Sequence, residues 1–362
     1  MTANNIDRDK ELTVKTIRAN ATFLILTLAV CCVAYPAVLA GIGRVLSPSG
    51  TTGSLVEDNG SVRGSRLIAQ KFGADEYFQP RPSAADYNGA AASGSNWGAN
   101  NPKLRDRACQ QLGPIIAYKA GSRSAAGGRT PQQDIEAWFA AKPDRAAEWA
   151  ADSSVAAPNW ARTDFADDKY GLQGQFIRQW AKDHPDVIED WKKANPDKSD
   201  DPKPEDLVGP FFASFAKVHP GKFPGVVETK KADGSVDKRI EPVSTDQAIQ
   251  SNFFDLWLSD PANADKAADL EPVVADMVAA SGSGLDPHIT LRNALSVYQL
   301  DRVAKKRAAT PADVDRVKRE IADLVRAQSF TPLSGLVGEP LVNVLELNLD
   351  LDRKFPVPAQ SP

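Results

Sequence analysis

One uncharged, apolar stretch near the beginning of the chain constrains its fold more than any other feature. The stretch runs from Ala19 to Gly43, with Arg18 and Arg44 on either side. A helix of these 25 residues, rising about 1.5 Å per residue, can cross a hydrocarbon core about 30 Å thick. The long remainder of the chain has the composition of a water-soluble body. The sequence therefore predicts one membrane-spanning helix that carries a large domain in water.

The basic residues around this stretch predict its orientation in the membrane. Residues 1–18 contain four Lys or Arg side chains, whereas on the other side Arg44 is followed by no further basic residue before Arg63. Lys and Arg close to a span tend to remain in the cytoplasm. We therefore expect a cytoplasmic tail at residues 1–18, a single-pass helix in the cell (inner) membrane at residues 19–43, and an extracytoplasmic body.

Two other interpretations of the apolar stretch stay open. Val38, Leu39 and Ala40 form a passable cleavage site for a signal peptide, but the run is much longer than the roughly 7–15 residues of a signal-peptide core. Cys31 resembles a lipidation site only faintly, because Val30 before it is too large. The length of the run favours a retained span.

The composition argues against several classes of function. The net charge of −4 and the isoelectric point of about 5.6 argue against a nucleic acid partner. Cys31 and Cys32 lie in the predicted span, so Cys109 is the single thiol of the body and no internal disulfide can form there. The histidines are scattered, and neither a P-loop motif nor an H-E-x-x-H motif is present. We expect no metal site and no catalytic site, and we infer that the chain works as part of an assembly.

The body begins with a predicted hairpin and a long polar loop. Asn59 and Gly60 separate two short β-prone runs, and Asn-Gly is typical of a type I′ turn, which needs positive φ at both central residues. Residues 77–101 are rich in Pro, Ser, Gly and Asn, which predicts a loop. This loop is either simply solvated or a docking surface of small polar groups. The candidates for partner contacts in it are Arg81, Tyr87, Ser93 and Asn96.

The C-terminal part of the body contains three further local signals. Residues 281–288 form a glycine-rich turn, and Thr290 after it can cap a helix whose apolar residues recur up to Val303. Thr310, with a proline next to it, predicts the start of another helix. Leucines alternate with Glu, Asn and Asp over residues 345–351, which is typical of a half-buried strand. Hairpin, helices and strand together predict an α+β domain.

The middle of the chain has a different pattern. Residues 110–270 contain six of the seven tryptophans, and three segments repeat the same spacing from a Trp to a following Pro. This pattern predicts short helices, each with a buried Trp and each ending before a proline. The tryptophans predicted to lie in the core of this mainly helical module are Trp138, Trp180, Trp191 and Trp257. Binding of a sugar or a peptide on exposed tryptophans stays open, and residues 230–237 are predicted to be an exposed connector.

Several dense motifs occur in a fixed order on both sides of this middle region. They are V-R-G-S-R-L-I-A-Q (62–70), Y-F-Q-P-R-P-S-A (77–84), S-G-S-N (93–96), A-S-G-S-G-L-D-P-H-I (280–289), R-V-A-K-K-R (302–307) and G-E-P-L-V-N-V-L-E-L-N-L (338–349). In these motifs the sequence resembles the KdpC family, the C subunits of bacterial potassium-transporting P-type ATPases. The resemblance covers roughly residues 15–109 and 273–352. The tryptophan-rich middle departs from it, because usual members of the family have a much shorter connection there.

The resemblance implies a noncatalytic subunit of a high-affinity potassium pump. The complex of that family contains a channel-like subunit that selects potassium, an ATP-hydrolysing subunit and a small single-span subunit. The expected role is to assemble and stabilise the complex and to cover the outer face of the channel-like subunit. ATP and potassium would be handled by the complex, with no cofactor bound directly by this chain. The outer domain would then consist of residues 44–109 and 273–356, separated by an insertion at residues 110–272.

A nucleotide-binding role has been proposed for the family, and the glycine-rich turn resembles a phosphate-contacting loop. The residues concerned are Ser281, Gly282, Ser283 and Gly284. Small residues let backbone N–H groups approach an anion, but the turn is expected outside the cell and Asp286 would repel phosphate. We therefore favour a tight turn that positions the following helix. The alternative function of the whole chain is that of a membrane-tethered binding protein, whose Trp-rich module captures an envelope ligand.

Overall fold

The computed structural model describes residues 3–152, 156–162, 170–230 and 235–358. Its first part is helical in three consecutive stretches, which are α1 (Ala3–Leu28), a π-helical stretch (Ala29–Ala34) and α2 (Tyr35–Leu46). Pro36 in the first turn of α2 cannot donate a backbone hydrogen bond, and the π-helical stretch lies directly before it. Residues Val14–Leu46 are long and apolar enough to cross a membrane. The predicted apolar span is therefore helical, and it is longer than the sequence predicted.

The elements that follow are short. The helices are α3 (Pro48–Thr51), α4 (Pro102–Leu112), α5 (Arg123–Ala126), α6 (Pro131–Ala140), α7 (Arg145–Asp152), α8 (Ala156–Ala161), α9 (Leu172–Lys182), α10 (Pro185–Ala194), α11 (Val208–Val218), α12 (Gln247–Ser259), α13 (Ala264–Ala268), α14 (Leu291–Ala294), α15 (Arg302–Arg307), α16 (Val314–Gln328) and α17 (Val344–Lys354). The strands are β1 (Leu55–Asp58), β2 (Ser61–Ser65), β3 (Phe223–Lys230), β4 (Val236–Val243), β5 (His288–Thr290) and β6 (Leu341–Asn343). Many helices with three two-stranded sheets agree with the predicted α+β class.

The chain divides into two compact units. Unit 1 consists of Met1–Ser93, Ser281–Leu295 and Arg302–Pro362. Unit 2 consists of Gly94–Ala280 and Ser296–Asp301. Unit 1 is thus assembled from segments that lie far apart in the sequence, whereas unit 2 is formed almost entirely by the middle of the chain.

Unit 1 contains two small antiparallel sheets. β1 pairs with β2, with Asp58 opposite Ser61, and β5 pairs with β6. The turn residues Asn59 and Gly60 have φ angles of 51° and 74°. The predicted hairpin, with positive φ at both turn positions, is confirmed.

The prediction of a strand at residues 345–351 was wrong, because this segment is the helix α17. Its N-cap is Asn343, whose side-chain oxygen accepts a hydrogen bond from the Glu346 N–H. The buried residues of α17 follow helical spacing, and they are Val344, Leu345, Leu347, Asn348 and Leu351. The helical spacing was hidden in the sequence because one of the buried positions is occupied by the polar Asn348.

The cap predicted at Thr290 is confirmed, but the helix after it is not continuous. The Thr290 hydroxyl oxygen accepts a hydrogen bond from the Asn293 N–H at the start of α14. The stretch predicted as one helix up to Val303 is divided into α14, a π-helical segment (Val297–Asp301) and α15. The chain passes from unit 1 into unit 2 and back within this stretch.

The helix predicted from Thr310 is α16, and a 3-10 turn at Pro311–Asp313 precedes it. The Thr310 hydroxyl donates a hydrogen bond to the Asp313 carboxylate, so it ties the turn together through a side chain. Val317, Ile321 and Leu324 are buried on one face of α16.

Unit 2 packs its helices around an aromatic core. Aromatic residues of the core come from α6, α7, α8, α11, β3 and α12, and they include Phe139, Trp149, Trp160, Phe211, Phe212, Phe223, Phe253 and Trp257. Of the tryptophans predicted to be buried, Trp257 is completely enclosed, while Trp138, Trp180 and Trp191 are partly buried against the core. The predicted burial is thus confirmed for Trp257 alone.

The prediction of a connector at residues 230–237 was wrong at the ends that the structure describes. Lys230 is the last residue of β3 and pairs with Val236, the first residue of β4. The two strands form a regular antiparallel ladder that extends to Phe223 opposite Val243. Residues 231–234 of the predicted connector lie outside the described residues. Charged residues at the strand ends concealed the hairpin in the sequence.

Candidate functional site

Within unit 1, the polar loop after the hairpin is held in shape by its own side chains. The Ser83 hydroxyl oxygen accepts hydrogen bonds from the N–H groups of Ala85 (3.1 Å) and Tyr87 (2.9 Å). The Tyr87 hydroxyl donates to the Arg81 carbonyl at 2.9 Å. Asp86 and Tyr87 have φ angles of 47° and 58°, a left-handed conformation that non-glycine residues seldom adopt. The loop is therefore a defined turn rather than an open segment.

The glycine-rich turn uses its hydroxyl groups in the same way. The Ser283 hydroxyl oxygen accepts a hydrogen bond from the Leu285 N–H at 3.1 Å, and the Ser281 hydroxyl oxygen accepts one from the Asp286 N–H at 3.4 Å. The Gly284 N–H donates to the Ser281 carbonyl at 3.1 Å. Three consecutive backbone N–H groups are thus engaged inside the turn itself.

The loop and the turn bind each other, and we name residues 81–93 together with residues 281–288 the clasp. The Ser93 N–H donates to the Ser283 carbonyl at 2.9 Å, and the Ser83 hydroxyl donates to the Gly284 carbonyl at 2.6 Å. Gly284 has a φ of 69°, and a Cβ on it would lie 2.5 Å from the Ser93 carbonyl oxygen. Only glycine fits this position, because both the backbone conformation and the close approach exclude a side chain.

The charges of the clasp surround Asp286. An Arg81 guanidinium nitrogen lies 3.5 Å from one carboxylate oxygen, and the backbone N–H and Nδ1 of His288 lie 3.0 and 3.2 Å from the other. Burial raises the pKa of Asp286, but the hydrogen bonds from His288 and the charges of His288 and Arg81 outweigh it, so the pKa lies below its ordinary value. Burial raises the pKa of Tyr87, and the neighbouring Asp86 adds to that effect.

Two buried polar side chains fix the beginning of the loop. Asn348 of α17 accepts a hydrogen bond from the Phe78 N–H and donates one to the Phe78 carbonyl, both at 2.9 Å. Arg307 of α15 is 4% exposed and donates to the Glu76 carbonyl (2.8 Å), the Phe355 carbonyl (2.7 Å) and the Asp352 carboxylate (2.9 Å). The loop therefore depends on contacts with helices that lie more than two hundred residues later in the chain.

The structure brings most of the predicted site residues together. Arg81, Tyr87 and Ser93 belong to the clasp, as do Ser281, Gly282, Ser283 and Gly284. Asn96 belongs to unit 2 and has a φ of 52°. Ser83 was not among the predicted residues, although it makes three hydrogen bonds in the clasp. Ser83 lies in the motif at residues 77–84, but its bond to Gly284, 201 positions away, could not be predicted from the motif alone.

Three backbone N–H groups of the clasp are already used within the glycine-rich turn. A phosphate-binding loop needs several N–H groups that point at the ligand, whereas the N–H groups of Gly284, Leu285 and Asp286 donate within the turn. The Asp286 carboxylate adds a negative charge beside them. Among the described residues, no group of three His, Cys, Asp or Glu side chains could hold a metal ion.

Unit 2 contains a separate cleft of about 440 Å³. Its walls include Trp138 and Trp149, and the Arg145 guanidinium stacks on the Trp138 ring at 3.4 Å from the ring centroid. The Trp138 indole N–H donates to the Asp260 carboxylate at 2.7 Å. Burial lowers the pKa of Arg145 despite the nearby Asp260. The cleft is of a size that small molecules occupy in proteins.

Comparison with known protein families shows which family this chain matches, and over which residues. The family described as K+-transporting ATPase, c chain, matches residues 17–137 and 232–353. The chain belongs to the KdpC family. Both halves of the clasp lie inside the matched residues, whereas residues 138–231, which include much of the aromatic core, lie outside them.

Individual KdpC relatives differ in how much of the chain they cover. A potassium-transporting ATPase KdpC subunit of Pseudomonas aeruginosa is 47% identical over 90 residues, 25% of this chain and 49% of the relative. The chain thus spans about half the length of that relative. A KdpC subunit of Methanosphaerula palustris is 40% identical over 131 residues, 33% of this chain and 68% of the relative. One of Burkholderia orbicola is 27% identical over 333 residues, 91% of each chain, so this match must extend through most of residues 138–231.

Proposed function

We propose that this chain is the noncatalytic C subunit of an ATP-driven pump for high-affinity potassium uptake. The observation that carries the proposal is the family match over residues 17–137 and 232–353, which includes both halves of the clasp. The partners would be a channel-like potassium-binding subunit, an ATP-hydrolysing subunit and a small single-span subunit. This chain would assemble and stabilise the complex and cover the outer face of the channel-like subunit.

The proposed topology has the N-terminus in the cytoplasm and both units outside, at the cell (inner) membrane. It is supported by the apolar helix Val14–Leu46 and by the concentration of Lys and Arg before the apolar stretch. We also propose that residues 110–272 are an insertion into the outer domain. The family model skips residues 138–231, which supports the central part of this insertion, whereas residues 110–137 and 232–272 lie inside the matched segments.

In this proposal the clasp gives the partner-facing loop its shape. Arg81, Tyr87 and Ser93 would present the contact surface of unit 1, and Asn96 would be a separate partner contact in unit 2. The glycine-rich turn would be a structural brace and not a nucleotide site, which is supported by the internal use of its N–H groups and by Asp286. Titration calorimetry with ATP should then give no saturable heat; saturable binding that Ser283→Ala abolishes would overturn this part of the proposal.

The proposal is tested by affinity purification of the C-terminally tagged chain from gently solubilised native membranes, with mass spectrometry of the recovered proteins. The expected result is recovery of the channel-like and ATP-hydrolysing subunits in matched amounts. Recovery of the chain alone, under conditions that preserve other membrane complexes, would contradict it.

A matched pair of substitutions tests the role of the clasp. Ser83→Ala removes the hydroxyl that makes two hydrogen bonds within the loop and one to the turn, so recovery of the channel-like subunit should fall. Ser199→Ala is the control, because the Ser199 hydroxyl is exposed and bonds only to the neighbouring Asp200 among the contacts described. Equal recovery with both variants would show that the clasp does not shape the contact surface.

A second candidate function is that of a membrane-tethered binding protein that uses unit 2. The observation that favours it is the cleft of about 440 Å³ with Trp138 in its wall. This function would be preferred if the purified chain had no pump subunits bound, and if its tryptophan fluorescence changed saturably on addition of an envelope oligosaccharide or peptide.

A further inference from the structure

Unit 1 exposes an apolar loop between α16 and β6. No charged residue occurs from Ala327 to Gly338. Within this stretch the side chains of Leu333, Leu336 and Val337 are 73%, 85% and 59% exposed. Leu336 is the most exposed large apolar residue in the described part of the chain. Single exposed apolar residues are common on protein surfaces, but three at the tip of one uncharged loop mark an interaction site.

The backbone of this loop holds its apolar side chains outward in an unfavourable conformation. Leu333 and Ser334 have φ angles of 48° and 56°, and Gly335 and Gly338 have 90° and 86°. A left-handed backbone at a branched, non-glycine residue such as Leu333 costs free energy and persists where the surrounding structure imposes it. The exposure of the three side chains therefore does not serve the packing of unit 1.

The base of the loop is firmly joined to unit 1. Phe330 and Leu341 form a bridge with two backbone hydrogen bonds, of 2.9 and 2.8 Å. Two residues later, the Asn343 side chain donates to the Arg66 carbonyl at 2.8 Å. The loop is thus a closed projection with a fixed base, and that base contacts the hairpin.

Further hydrogen bonds lead from Arg66, at the base of the loop, to the end of the apolar helix. The Arg66 N–H donates to the Ser54 carbonyl at 2.9 Å, and the Ser54 N–H donates to the Ser49 carbonyl at 2.8 Å. Ser49 is three residues after Leu46, the last residue of the candidate span. A few hydrogen-bonded contacts therefore separate the loop from the point where the chain would leave the membrane.

We propose that the tip of this loop, residues 332–338, inserts Leu333, Leu336 and Val337 into the interfacial layer of the bilayer that holds the span. A lipid surface is favoured over a protein partner for two reasons. The loop offers no charged group for directional recognition, and it projects from the part of unit 1 that is joined to the end of the span. This inference rests on the membrane anchorage in the proposed function, and it adds a second point of membrane contact.

The test places a fluorescent NBD label on the loop of the full chain in lipid nanodiscs. The label is introduced by Leu336→Cys, and separately by Val337→Cys, in a background carrying Cys31→Ala and Cys32→Ala. Cys109 can remain, because it is buried and burial together with Asp255 raises the pKa of its thiol to about 12, which suppresses its reaction. The nanodiscs contain either ordinary phospholipid or phospholipid with a nitroxide near the headgroup end of the acyl chain.

Two further label positions make the result interpretable. Leu46→Cys reports the end of the span, and Val218→Cys reports an exposed apolar position of unit 2. An apolar segment at the interface is buried about 5–10 Å deep, so nitroxide lipid should lower the fluorescence at position 336 at least about twofold more than at position 218. The label at position 46 should be quenched at least as strongly.

The other outcomes distinguish a failure of the loop proposal from a failure of the membrane anchorage. Quenching at position 46 without quenching at positions 336 and 337 would overturn the loop proposal and leave the anchor intact. An absence of quenching at position 46 would overturn the membrane anchorage and the loop proposal together. If the loop label is shielded from aqueous iodide only after co-purification with other pump subunits, and is not quenched by nitroxide lipid, its occupant is a protein and the lipid proposal is wrong.

Discussion

The core of unit 2 is aromatic, whereas the clasp of unit 1 and residues 76–78 before it are held by hydrogen bonds from polar side chains. In unit 2 the Phe223 ring lies with its centroid 5.5–6.3 Å from five other aromatic rings, those of Phe139, Trp149, Trp160, Phe212 and Phe253. In unit 1, Arg307 and Asn348 bond to backbone groups of residues 76–78 from helices near the end of the chain. Aromatic packing is stabilised by the large area that each ring buries, while a buried polar group depends on every one of its hydrogen-bond partners.

This difference follows from how each unit is assembled. Unit 2 is formed mainly by one continuous stretch, so hydrophobic burial can bring its helices together without precise long-range pairing. Unit 1 joins segments from both sides of that stretch, and its polar loop at residues 81–93 has few large apolar side chains. Directional hydrogen bonds fix the arrangement of these segments. The two units should therefore respond differently to matched kinds of substitution.

The largest effect is expected for Phe223→Ala in unit 2. Removing a fully buried phenylalanine from a packed core costs about 3–5 kcal/mol, since it leaves a cavity among the surrounding rings. All seven tryptophans lie in unit 2, so their fluorescence during urea titration of the full chain reports the free energy of unfolding of this unit.

Val218→Ala is the control for this substitution, because Val218 is exposed and its truncation should leave the urea midpoint unchanged within error. Hydrogen exchange of residues 66–93 should be the same in Phe223→Ala as in the wild type. A uniform loss of protection in both units would mean that they unfold together. The two units would then have no separate free energies of unfolding to compare.

The next largest effect is expected for Arg307→Met in unit 1. The substitution keeps most of the side-chain volume but removes three hydrogen bonds to Glu76, Asp352 and Phe355, two of them to backbone carbonyls. Since charge-assisted hydrogen bonds contribute more than neutral ones, unit 1 should lose on the order of 2–4 kcal/mol. Faster hydrogen exchange across residues 66–93 would measure this loss.

The tryptophan-detected midpoint of unit 2 should not move in the same variant. Arg326→Met serves as the control, because Arg326 is exposed and pairs only with Asp323 one turn away among its described contacts, an arrangement that contributes little. If both arginine substitutions had equally small effects, the polar side chains would not be what stabilises the loop of unit 1.

Local signals made part of this fold predictable. The hairpin followed from Asn59 and Gly60, because the positive φ that a type I′ turn needs is a property of the turn residues themselves. The loop character of residues 77–101 followed from composition. The burial of Trp257 followed from its chemistry, since a large apolar ring is stabilised by leaving water whatever its neighbours are.

The remainder depended on contacts between distant residues. Asn348 concealed the helical spacing of α17, and its burial is explained only by Phe78, 270 positions earlier. The bond of Ser83 to Gly284 could not be predicted, because Gly284 lies on the other side of unit 2 in the sequence. The Ser281–Gly284 turn was recognised as a turn, but its partners in the loop could not be read from either segment alone.

A smaller effect is expected from two glycine substitutions in the turn of the clasp. Gly284→Ala places a Cβ 2.5 Å from the Ser93 carbonyl oxygen and forces a left-handed φ on alanine, so it should destabilise unit 1 by about 1–3 kcal/mol. Gly282→Ala meets no atom within 4 Å and should be nearly neutral. Hydrogen exchange of residues 81–93 distinguishes the two variants.

The glycine pair also sharpens the assignment of the turn as a brace. If the turn held an anion on its backbone, a side chain at either glycine would obstruct the ligand, and both variants would impair the chain alike. Loss of protection with Gly284→Ala alone supports the brace, whereas equal behaviour of the two variants would remove the structural argument for it.

The smallest effect is expected from the pH dependence of unit 1 through Asp286. Its pKa in the folded chain lies below the ordinary value, because the bonds from His288 and the charge of Arg81 outweigh the effect of burial. A carboxyl group of this kind stabilises the fold above its unfolded pKa of about 3.9, and the contribution is lost as the pH falls through the folded pKa. Since the side chain is 34% exposed, solvent screening limits the contribution to a few tenths of a kcal/mol.

Asp286→Asn isolates this contribution. Between about pH 5 and pH 3, the urea midpoint of unit 1 should fall more steeply in the wild type than in the variant, because the amide has no proton to gain. Pulse proteolysis with pepsin, which is active over this range, can follow the cleavage of residues 66–93 at each pH. Unit 2 does not contain Asp286, so its tryptophan-detected midpoint should have the same pH dependence in both proteins. A steeper fall in the variant would contradict the lowered pKa, and with it the assignment of Arg81 and His288 as the groups that hold Asp286 in the clasp.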